Sequence, residues 1–521
     1  MKNLINLNGK KLLILGGNPE TGVLVEQAND LGIITIVIDP NPEAPAKLFS
    51  KKHYNIDGFD IPNLSKVAKE EKVDGVLVGV ADILVSPYLQ LCEALSLPCY
   101  ASNNIIDALS SKDGFMRACE AYGVENIPSY NLDHNFNSID LEKIKYPVLV
   151  KPVDNGGGVG MSICSNTEEL ILGAKNAINH SRKKLFLTER YMNCDDIVAY
   201  YTFIDGHIYL SAIADRITTK KQGNTSPVCI ASIYPSKHTS KYYENIHPVM
   251  SKMFKGIGVN NGVLAIQFFV ENDHFYAYDP GFRLQGEAMH IYINAINGFD
   301  HRLMLINFAL TGSMGVNDLE VRNDFLFRGK HACTFWILLK SGVIKSITGL
   351  NELQGDPSVI FVMQRFFEGD FVSEEMVGNE KQVLARIYII SETRENLVSK
   401  INEIKTTISV TDNDGNKYIV NEPNRFRKHL LDFHTLKGKA DLSLHEENGH
   451  YFTVTKKLID EVVDLRTKIN DMIVAHTKEG SKLLYFTAGH LESKLQTIGC
   501  KCKDESTSKK RINRETRNIS K

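Results

Sequence analysis

Short apolar runs alternate with helical patterns through the first hundred residues of the chain, and this alternation limits the fold more than any other feature of the sequence. Between the first two runs, Leu24, Ala28 and Leu31 recur at helical spacing, and Gly32 follows as a stop signal. Strands that alternate with helices form βαβ units on a parallel sheet. We therefore predict one α/β layer over residues 1–105, with strands in KLLILGG, ITIVID, DGVLVGV and LPCYAS.

A change of period after this layer predicts a region of mixed α and β structure. Ser111 is a capping residue and Gly123 a stop signal for one helix. From residue 146 to 215 the period is two, apart from one helical pattern over 168–178. We therefore predict an α+β domain over residues 106–316, with a lid over about 146–210.

The rest of the chain is predicted to form two further parts. Residues 317–430 contain several strand patterns and are expected to form a C-terminal covering subdomain. Residues 431–521 contain an amphipathic helix, a partial βαβ pattern and a basic tail. For the tail, a solvated, disordered segment is favoured over nucleic-acid binding because it is poor in apolar residues. Residues 431–521 are also a candidate docking segment for a second copy of the chain or for a partner enzyme.

The composition excludes several classes of protein. Lys and Arg number 60 and Asp and Glu number 62 in 521 residues, so the net charge of −2 gives no general case for nucleic acid or an anionic membrane. No apolar run is long enough to span a bilayer, and the N-terminus lacks a signal-peptide pattern. The close cysteine pair, Cys500 and Cys502, has no second pair to complete a zinc site. We expect a cytoplasmic protein with reduced thiols.

A glycine-rich loop joins two predicted strands in YPVLVKPVDNGGGVGMSIC, residues 146–164. Glycines let backbone N–H groups approach a phosphate closely, although a flexible hairpin loop would need the same residues. Lys151 favours the phosphate because an ammonium group at the end of an apolar strand is costly without an anion. The candidate loop residues are Gly156, Gly157, Gly158 and Gly160.

Three charged residues elsewhere fit the same interpretation. Lys112 begins a predicted helix, where a cation opposes the helix dipole and an external anion would favour it. Glu189 ends one predicted strand and Asp196 opens the next, and such carboxylates can accept hydrogen bonds from an adenine amine or ribose hydroxyls. Solvated surface positions are the alternative for all three residues.

A predicted hairpin carries a candidate metal and phosphate site. Gln267 and Asp279 are separated by a turn centred near Asp273, so they should lie opposite each other on paired strands. Asp279 and Arg283 are four residues apart, so they should share one face of the strand, because alternate residues of a strand point to the same side. Carboxylate and amide oxygens suit Mg²⁺, and arginine suits a phosphoryl group, although a surface ion pair is the alternative.

This set of motifs, in this order over about residues 10–425, resembles the ATP-grasp superfamily. Within it, the chain is most similar to the carbamoyl-phosphate-synthase-like and L-amino-acid-ligase-like carboxylate-amine ligases. The resemblance implies an ATP-grasp fold with a Rossmann-like pre-ATP-grasp domain at the N-terminus, over residues 1–105, and a C-terminal covering subdomain. It also implies ATP and Mg²⁺ or Mn²⁺ as cofactors.

The resemblance assigns roles to individual residues. It implies that Lys112 and Lys151 contact the ATP phosphates and that Gly156 to Gly160 form the loop that covers them. Gln267 and Asp279 match the metal ligands, and Arg283, with Lys151, matches a catalytic position near the transferred phosphate. The hinge would hold adenine through backbone groups and Asp196 would hold the ribose, the hinge residues being Thr188, Glu189, Arg190, Tyr191 and Met192.

Two departures bear on the chemistry. The family usually has glutamate at the position of Gln267, and an acid-x-Asn pattern where this chain reads Asp279-Pro280-Gly281.

The function implied is an ATP-dependent ligase that joins a small carboxylate, such as an amino acid, to an amine through an acylphosphate. Arg216, together with Arg283, is a candidate for binding the substrate carboxylate. A non-catalytic ATP-binding sensor or assembly subunit, and an enzyme that forms carbamoyl phosphate or carboxyphosphate, are the alternatives.

Overall fold

A computed structural model describes residues 7–153, 159–219, 227–353, 355–412, 414–417, 419 and 420. Three of the predicted loop glycines, Gly156, Gly157 and Gly158, lie outside the described residues, as does the predicted segment 431–521. Within the described part of the chain, no helix has the length and apolar character that a membrane span requires.

The N-terminal layer is a parallel sheet with the order β3-β2-β1-β4. The prediction of a parallel α/β layer is confirmed, and Gly32 adopts a positive φ of 75° just after the first helix, as expected for a stop signal. The predicted strand in LPCYAS is wrong, because these residues pack as a connection between helices. The described strands are β1 (Lys11–Leu15), β2 (Ile34–Ile38), β3 (Lys52–Tyr54) and β4 (Gly75–Val78).

Helices surround this sheet and lead out of it. The helix after Ser111 begins and ends where the sequence predicts: the Ser111 hydroxyl accepts from Gly114 N at 3.2 Å, and Gly123 has a φ of 75°. The helices of this part are α1 (Pro19–Asp30), α2 (Ile61–Glu71), α3 (Val85–Leu95), α4 (Asn103–Ser110) and α5 (Lys112–Tyr122).

A small antiparallel sheet with the order β5-β8-β6-β7 follows. The helix predicted over 168–178 is confirmed, and it packs its alanines and Leu170 on this sheet. The elements are β5 (Ser129–Tyr130), α6 (Ser138–Leu141), β6 (Val148–Pro152), β7 (Ser162–Cys164), α7 (Thr167–Asn179) and β8 (Phe186–Arg190).

The largest sheet has eight antiparallel strands among the described residues, in the order β13-β12-β9-β10-β11-β14-β19-β17. Strands from both sides of the predicted boundary at residues 316 and 317 share this sheet, and β11, which the sequence analysis did not identify, joins them. The strands are β9 (Asp195–Ile204), β10 (His207–Thr218), β11 (Cys229–Tyr234), β12 (Gly262–Glu271), β13 (His274–Gly281), β14 (His331–Leu338), β17 (Val359–Gln364) and β19 (Val383–Ser391).

The remaining strands form two separate two-stranded sheets and do not extend the large sheet. Its buried side chains form one apolar core with the N-terminal layer and a second core under the C-terminal helix. The remaining strands are β15 (Gly342–Val343), β16 (Ser346–Thr348), β18 (Phe371–Val372) and β20 (Ser409–Thr411). The remaining helices are α8 (Thr239–Lys241), α9 (His247–Ile257), α10 (His290–Asn297), α11 (His301–Thr311), α12 (Leu319–Arg322), α13 (Leu350–Leu353) and α14 (Arg394–Thr407).

Candidate functional site

The two predicted phosphate lysines come together at the start of α5 and the end of β6. Lys112 Nζ donates to the carbonyl oxygen of Pro152 at 3.3 Å, so the first residue of the helix contacts the strand that carries Lys151. With Glu189 and Tyr278 they line a cleft of about 290 Å³. Both lysines therefore lie in the wall of one concave surface.

Lys151 is almost fully buried, and a carboxylate balances its charge. Its side chain is 9% exposed, and Nζ lies 2.5 Å from Glu189 Oε2, whose side chain is 7% exposed. The antiparallel pairing of β6 with β8 sets this contact, since Leu149 is opposite Glu189 and Lys151 is opposite Leu187. A buried cation costs free energy unless an anion accompanies it. Lys151 is thus positioned where a bound phosphate could share it with Glu189.

Gly160, the one predicted loop glycine within the described residues, is required by its surroundings. Its φ is +76°, and a Cβ atom there would lie 2.7 Å from His180 Cβ and 2.9 Å from Pro152 Cγ. Any side chain would collide with the end of β6 or with the residue after α7. The close approach of the returning strand to Pro152 therefore depends on glycine here.

The predicted adenine hinge, residues 188–192, comprises the end of β8, an interior strand of the small sheet, and the two residues after it. Arg190 N donates to Pro128 O at 2.8 Å and Tyr191 N donates to Pro147 O at 3.1 Å, so these two amides already have acceptors. Within the described residues, the N–H of Met192 donates to no carbonyl or side chain. Adenine binding by residues 188–192 stays a prediction, and Met192 is the hinge residue whose backbone N–H can serve it.

The hairpin β12–β13 has the predicted register, with Gln267 directly opposite Asp279. Its turn lies at Asn272 and Asp273, both with positive φ, which suits a tight hairpin turn. The register shifts between Gln267 and Phe268, so that Tyr278 is left without a partner in a β-bulge. Bulges redirect side chains next to functional sites. Here Tyr278 lines the cleft, and Asp279 is the next residue along the strand.

Asp279 is chemically suited to a cation. Its side chain is open to solvent, and within the described residues no group donates a hydrogen bond to its carboxylate. Surrounding protein atoms nevertheless reduce its hydration, and this desolvation and the nearby Asp82 raise the pKa of Asp279, while Lys112 and Lys151 act to lower it. An accessible carboxylate without donors fits a hard cation such as Mg²⁺ or Mn²⁺.

Arg283 is held at this site by a residue that the sequence analysis did not identify. Asp82, which follows β4, forms an ion pair with Arg283 Nη2, and Gln285 Oε1 accepts from Arg283 Nη1 at 2.9 Å. Gly281 makes room for this arrangement, since a Cβ atom there would lie 3.2 Å from Asp82 Oδ1. Asp82 could have been suspected, because ligand sites form where parallel strands end.

Asp196 and Arg216 form a buried ion pair in the floor of the large sheet. Arg216 Nη1 lies 2.8 Å from Asp196 Oδ2, 2.8 Å from Gln267 Oε1 and 3.0 Å from the Tyr278 hydroxyl. The same hydroxyl donates to Asp196 Oδ1 at 3.0 Å. Burial raises the pKa of Asp196 to about 6, although Arg216 and Tyr278 act to lower it. Ribose binding by Asp196 and substrate binding by Arg216 stay predictions.

Glu287 completes this network and was not identified from the sequence. Its Oε1 lies 3.5 Å from Arg216 Nε, and its Oε2 accepts from the Tyr200 hydroxyl at 2.9 Å. Burial acts to lower the pKa of Arg216, but Asp196, Tyr278 and Glu287 together raise it well above its ordinary value. Arg216 is therefore a permanent cation. The only signal for Glu287 in the sequence is that an acidic residue lies four positions after Arg283.

A second cavity of about 250 Å³ lies beside the hairpin, lined by Gln285, His290 and residues of α1 and β17. Glu20 of α1 also lines it and forms ion pairs with Arg365 and with Arg386, whose side chain is 2% exposed. Burial acts to raise the pKa of Glu20, but the two guanidinium groups hold it below its ordinary value. Gln285 separates this cavity from Arg283.

Comparison with known proteins finds similarity over the part of the chain that carries these residues. Residues 111–310 match the family described as carbamoyl-phosphate synthase L chain, ATP binding domain. The carbamoyl phosphate synthase large chain of Clostridium beijerinckii is 24% identical over 311 residues, 56% of this chain and 28% of that protein. The formate-dependent phosphoribosylglycinamide formyltransferase of Prochlorococcus marinus is 28% identical over 192 residues, 36% of this chain and 48% of that protein. The chain thus spans less than half the length of either relative.

A solved structure agrees with the sequence matches on the fold. The L-amino acid ligase from Bacillus licheniformis superposes with a TM-score of 0.64 and 16% identity, over 80% of this chain and 100% of that one. The mixed α/β architecture predicted from the motifs is therefore confirmed, and the ATP-binding family covers the residues that line the cleft. The match over residues 111–310 and the shared fold together support a relationship to the ATP-grasp superfamily.

Proposed function

We propose that the chain is an ATP-dependent carboxylate-amine ligase that forms a C–N bond and releases ADP and phosphate. The observation that carries this proposal is that Lys112 and Lys151 line one cleft and both act electrostatically on the open carboxylate of Asp279 nearby. Two ammonium groups and a cation site are what the phosphates of a nucleotide require. The match of residues 111–310 to an ATP-binding domain supports the same assignment.

Each charged group has a task in this proposal. Lys112 and Lys151 bind the phosphate oxygens, and Arg283 stabilises the charge that develops as the γ-phosphoryl group is transferred. Asp279, with Gln267 opposite it, is the protein ligand for Mg²⁺ or Mn²⁺. The bound metal ion supplies positive charge that neutralises the phosphates. Positioning provides most of the catalysis, because phosphoryl transfer needs little covalent help from protein.

The reaction has two steps. An oxygen of the substrate carboxylate attacks the γ-phosphorus, the bond to the β–γ bridging oxygen breaks, and ADP leaves. The amine then attacks the acyl carbon of the acylphosphate, and phosphate leaves with the oxygen that came from the carboxylate. The second cavity, next to Arg283 through Gln285, is the candidate site for the carboxylate and the amine. Its lining is mostly apolar with a few polar groups, Glu20, Gln285, His290 and Arg302, and such a combination suits a small organic substrate with a polar group.

The decisive experiment measures phosphate release from Mg-ATP with pools of amino acids, sugar acids and bicarbonate, each with and without amines. Release that needs both a carboxylate and an amine supports the ligase. When the carboxylate carries ¹⁸O, one labelled oxygen should appear in the released phosphate. Release with bicarbonate alone would instead indicate formation of carboxyphosphate. Nucleotide binding without any release would indicate a sensor.

Lys151→Met and Lys175→Met form a matched pair for this assay. Lys175 lies exposed on α7, so its replacement should change neither nucleotide binding nor phosphate release. Lys151→Met removes a charge-assisted hydrogen bond worth about 1.5–3 kcal/mol, so nucleotide binding should weaken about 10- to 150-fold. Calorimetric titration with a non-hydrolysable ATP analogue measures both. Equal affinities for the two variants would contradict the role of Lys151.

A further inference from the structure

Arg216 lies next to the predicted metal site because of the order of the strands. Strand β9 lies between β10 and β12, and Arg216 pairs with Asp196 across β9 and β10. Gln267 pairs with Val198 across β9 and β12. Asp196 and Val198 are two residues apart, so they share one face of the sheet. Arg216 and Gln267 therefore flank Asp196 on that face.

The Gln267 oxygen, one of the two predicted metal ligands, is already engaged. It accepts a hydrogen bond from Arg216 Nη1 at 2.8 Å. A carboxamide has one oxygen, and its nitrogen is a donor that does not bind magnesium. Asp279, directly opposite Gln267, accepts no hydrogen bond from the residues that the structure describes. The two predicted ligand positions are thus unequal: one faces a fixed guanidinium and the other is open.

The guanidinium of Arg216 is firmly held. It contacts Asp196 and Glu287 from two sides, and its side chain is only 14% exposed. Its withdrawal would leave two largely buried carboxylates without their cation, which is costly. A second metal ion at Gln267 would also approach a permanent positive charge, and like charges repel strongly where water is scarce.

We propose that Arg216 is a built-in cation that takes the place of a second divalent metal ion, so that the nucleotide binds together with one metal ion, held by Asp279. This inference rests on the proposed nucleotide site and specifies its metal content. Arg216 is then a positioning residue that fixes Gln267 and Asp196. It is not the group that binds the substrate carboxylate.

The test counts Mn²⁺ ions by electron paramagnetic resonance, with the full-length protein and a saturating non-hydrolysable ATP analogue. One bound Mn²⁺ per chain in the nucleotide complex is expected. Two bound ions would overturn this inference while leaving the nucleotide site intact. If the analogue does not bind at all, both this inference and the proposed function fail. The two failures are thus distinguishable in a single titration.

Two variants test whether Arg216 sets the number of Mn²⁺ ions that bind. Arg216→Met combined with Asp196→Asn removes one cation and one anion together, so the net charge of the cluster is unchanged, although Glu287 loses its cation. The double variant should bind two Mn²⁺ per nucleotide complex, because the Gln267 oxygen becomes available. Arg117→Met, an exposed arginine of α5, is the control and should still bind one. A folded double variant that binds one ion would overturn the inference, and if it does not fold, the wild-type count decides.

Discussion

At the scale of single residues, the buried charged groups of the site are paired with groups of opposite charge, and the exposed Asp279 is not. Lys151 is compensated by Glu189, Arg216 by Asp196 and Glu287, and Asp279 has no partner among the described residues. Buried pairs cost desolvation and are stable only when geometry and hydrogen bonds are favourable. Each of these buried cations is therefore balanced by a carboxylate, and Asp279 is left for a ligand.

The pKa of Asp196 leads to a prediction about stability and pH. Burial raises it to about 6 in the folded protein, above the ordinary value of 3.8, so the folded state binds more protons between these values. Stability conferred by this group is then greatest at low pH and falls as pH rises. Relative to Asp196→Asn, the free energy of unfolding should decrease by up to about 3 kcal/mol between pH 4 and pH 7.

Urea unfolding at several pH values measures this difference. Comparing each wild-type value with Asp196→Asn at the same pH cancels the titration of other acids, such as Glu20, whose pKa shifts in the opposite direction. A difference that does not change with pH, or that grows in favour of the wild type as pH rises, would show that Asp196 is ionised throughout.

At the scale of elements, helix ends and a bulge place the functional side chains. The capping hydroxyl of Ser111 fixes the start of α5, and Lys112 is the first helical residue. The bulge at Tyr278 changes the register of β13 so that Asp279 lies opposite Gln267. Both devices are local, and each positions one group that is proposed to bind the nucleotide.

Ser111→Ala should affect both stability and binding. Loss of the cap leaves an N–H group of the first turn without its acceptor, and the cost is about 1 kcal/mol. Because Lys112 lies in that turn, we expect the affinity for an ATP analogue to decrease several-fold as well. Thermal unfolding and calorimetric titration measure the two effects.

Ser102→Ala is the matched control for this prediction. Ser102 caps α4 through a bond from Ile105 N at 3.4 Å, and α4 carries none of the predicted site residues. Its loss should reduce stability to a similar extent and leave nucleotide affinity unchanged. An equal loss of affinity in both variants would show that general destabilisation, rather than the position of Lys112, is responsible.

At the scale of the whole molecule, ion pairs join segments that are far apart in the sequence. Asp82 of the N-terminal layer contacts Arg283, 201 residues later, and Glu20 contacts Arg386, 366 residues later. These contacts connect the parallel sheet to the hairpin and to β19 of the large sheet. The second cavity is lined by residues from the N-terminal layer, from the segment after the hairpin and from β17 of the large sheet, so it exists only when these parts are assembled.

Glu20→Gln should destabilise the folded protein strongly. The substitution leaves Arg386, which is 2% exposed, without its buried carboxylate, and breaking such a pair costs about 3–5 kcal/mol. The pKa of Glu20 is lowered from its ordinary 4.5, so its contribution is present above about pH 4.5 and is lost as pH falls. The stability difference from the wild type should therefore shrink between pH 7 and pH 3.

Glu26→Gln, at an exposed position on the same helix, provides the control. It should change the free energy of unfolding by about 0.5 kcal/mol or less at either pH. If Glu20→Gln behaves in the same way, the network of Glu20 with Arg365 and Arg386 does not contribute to the assembly of these segments.

Local signals in the sequence predicted much of this architecture. The cap at Ser111, the stop at Gly123 and the turn at Asn272-Asp273 were all predicted, because each depends on neighbouring residues only. The strand at Lys52–Tyr54 was missed because its three residues have no strong strand pattern, whereas β11 was missed although CIASIY is a mostly apolar run of six residues. Short strands form through their neighbours in the sheet rather than through propensity.

The sequence by itself predicted the resemblance to the ATP-grasp superfamily, the helices and strands that carry Lys112, Lys151 and Asp279, and the pairing of Asp279 with Gln267. Only the tertiary structure decided that Arg216 contacts Gln267, that Asp82 contacts Arg283, and that Glu287 completes the network. The physical reason is that hydrogen-bonded turns and caps depend on residues a few positions apart, whereas contacts across a sheet depend on strand order. Strand order follows from the burial of whole faces, which no local pattern of residues specifies.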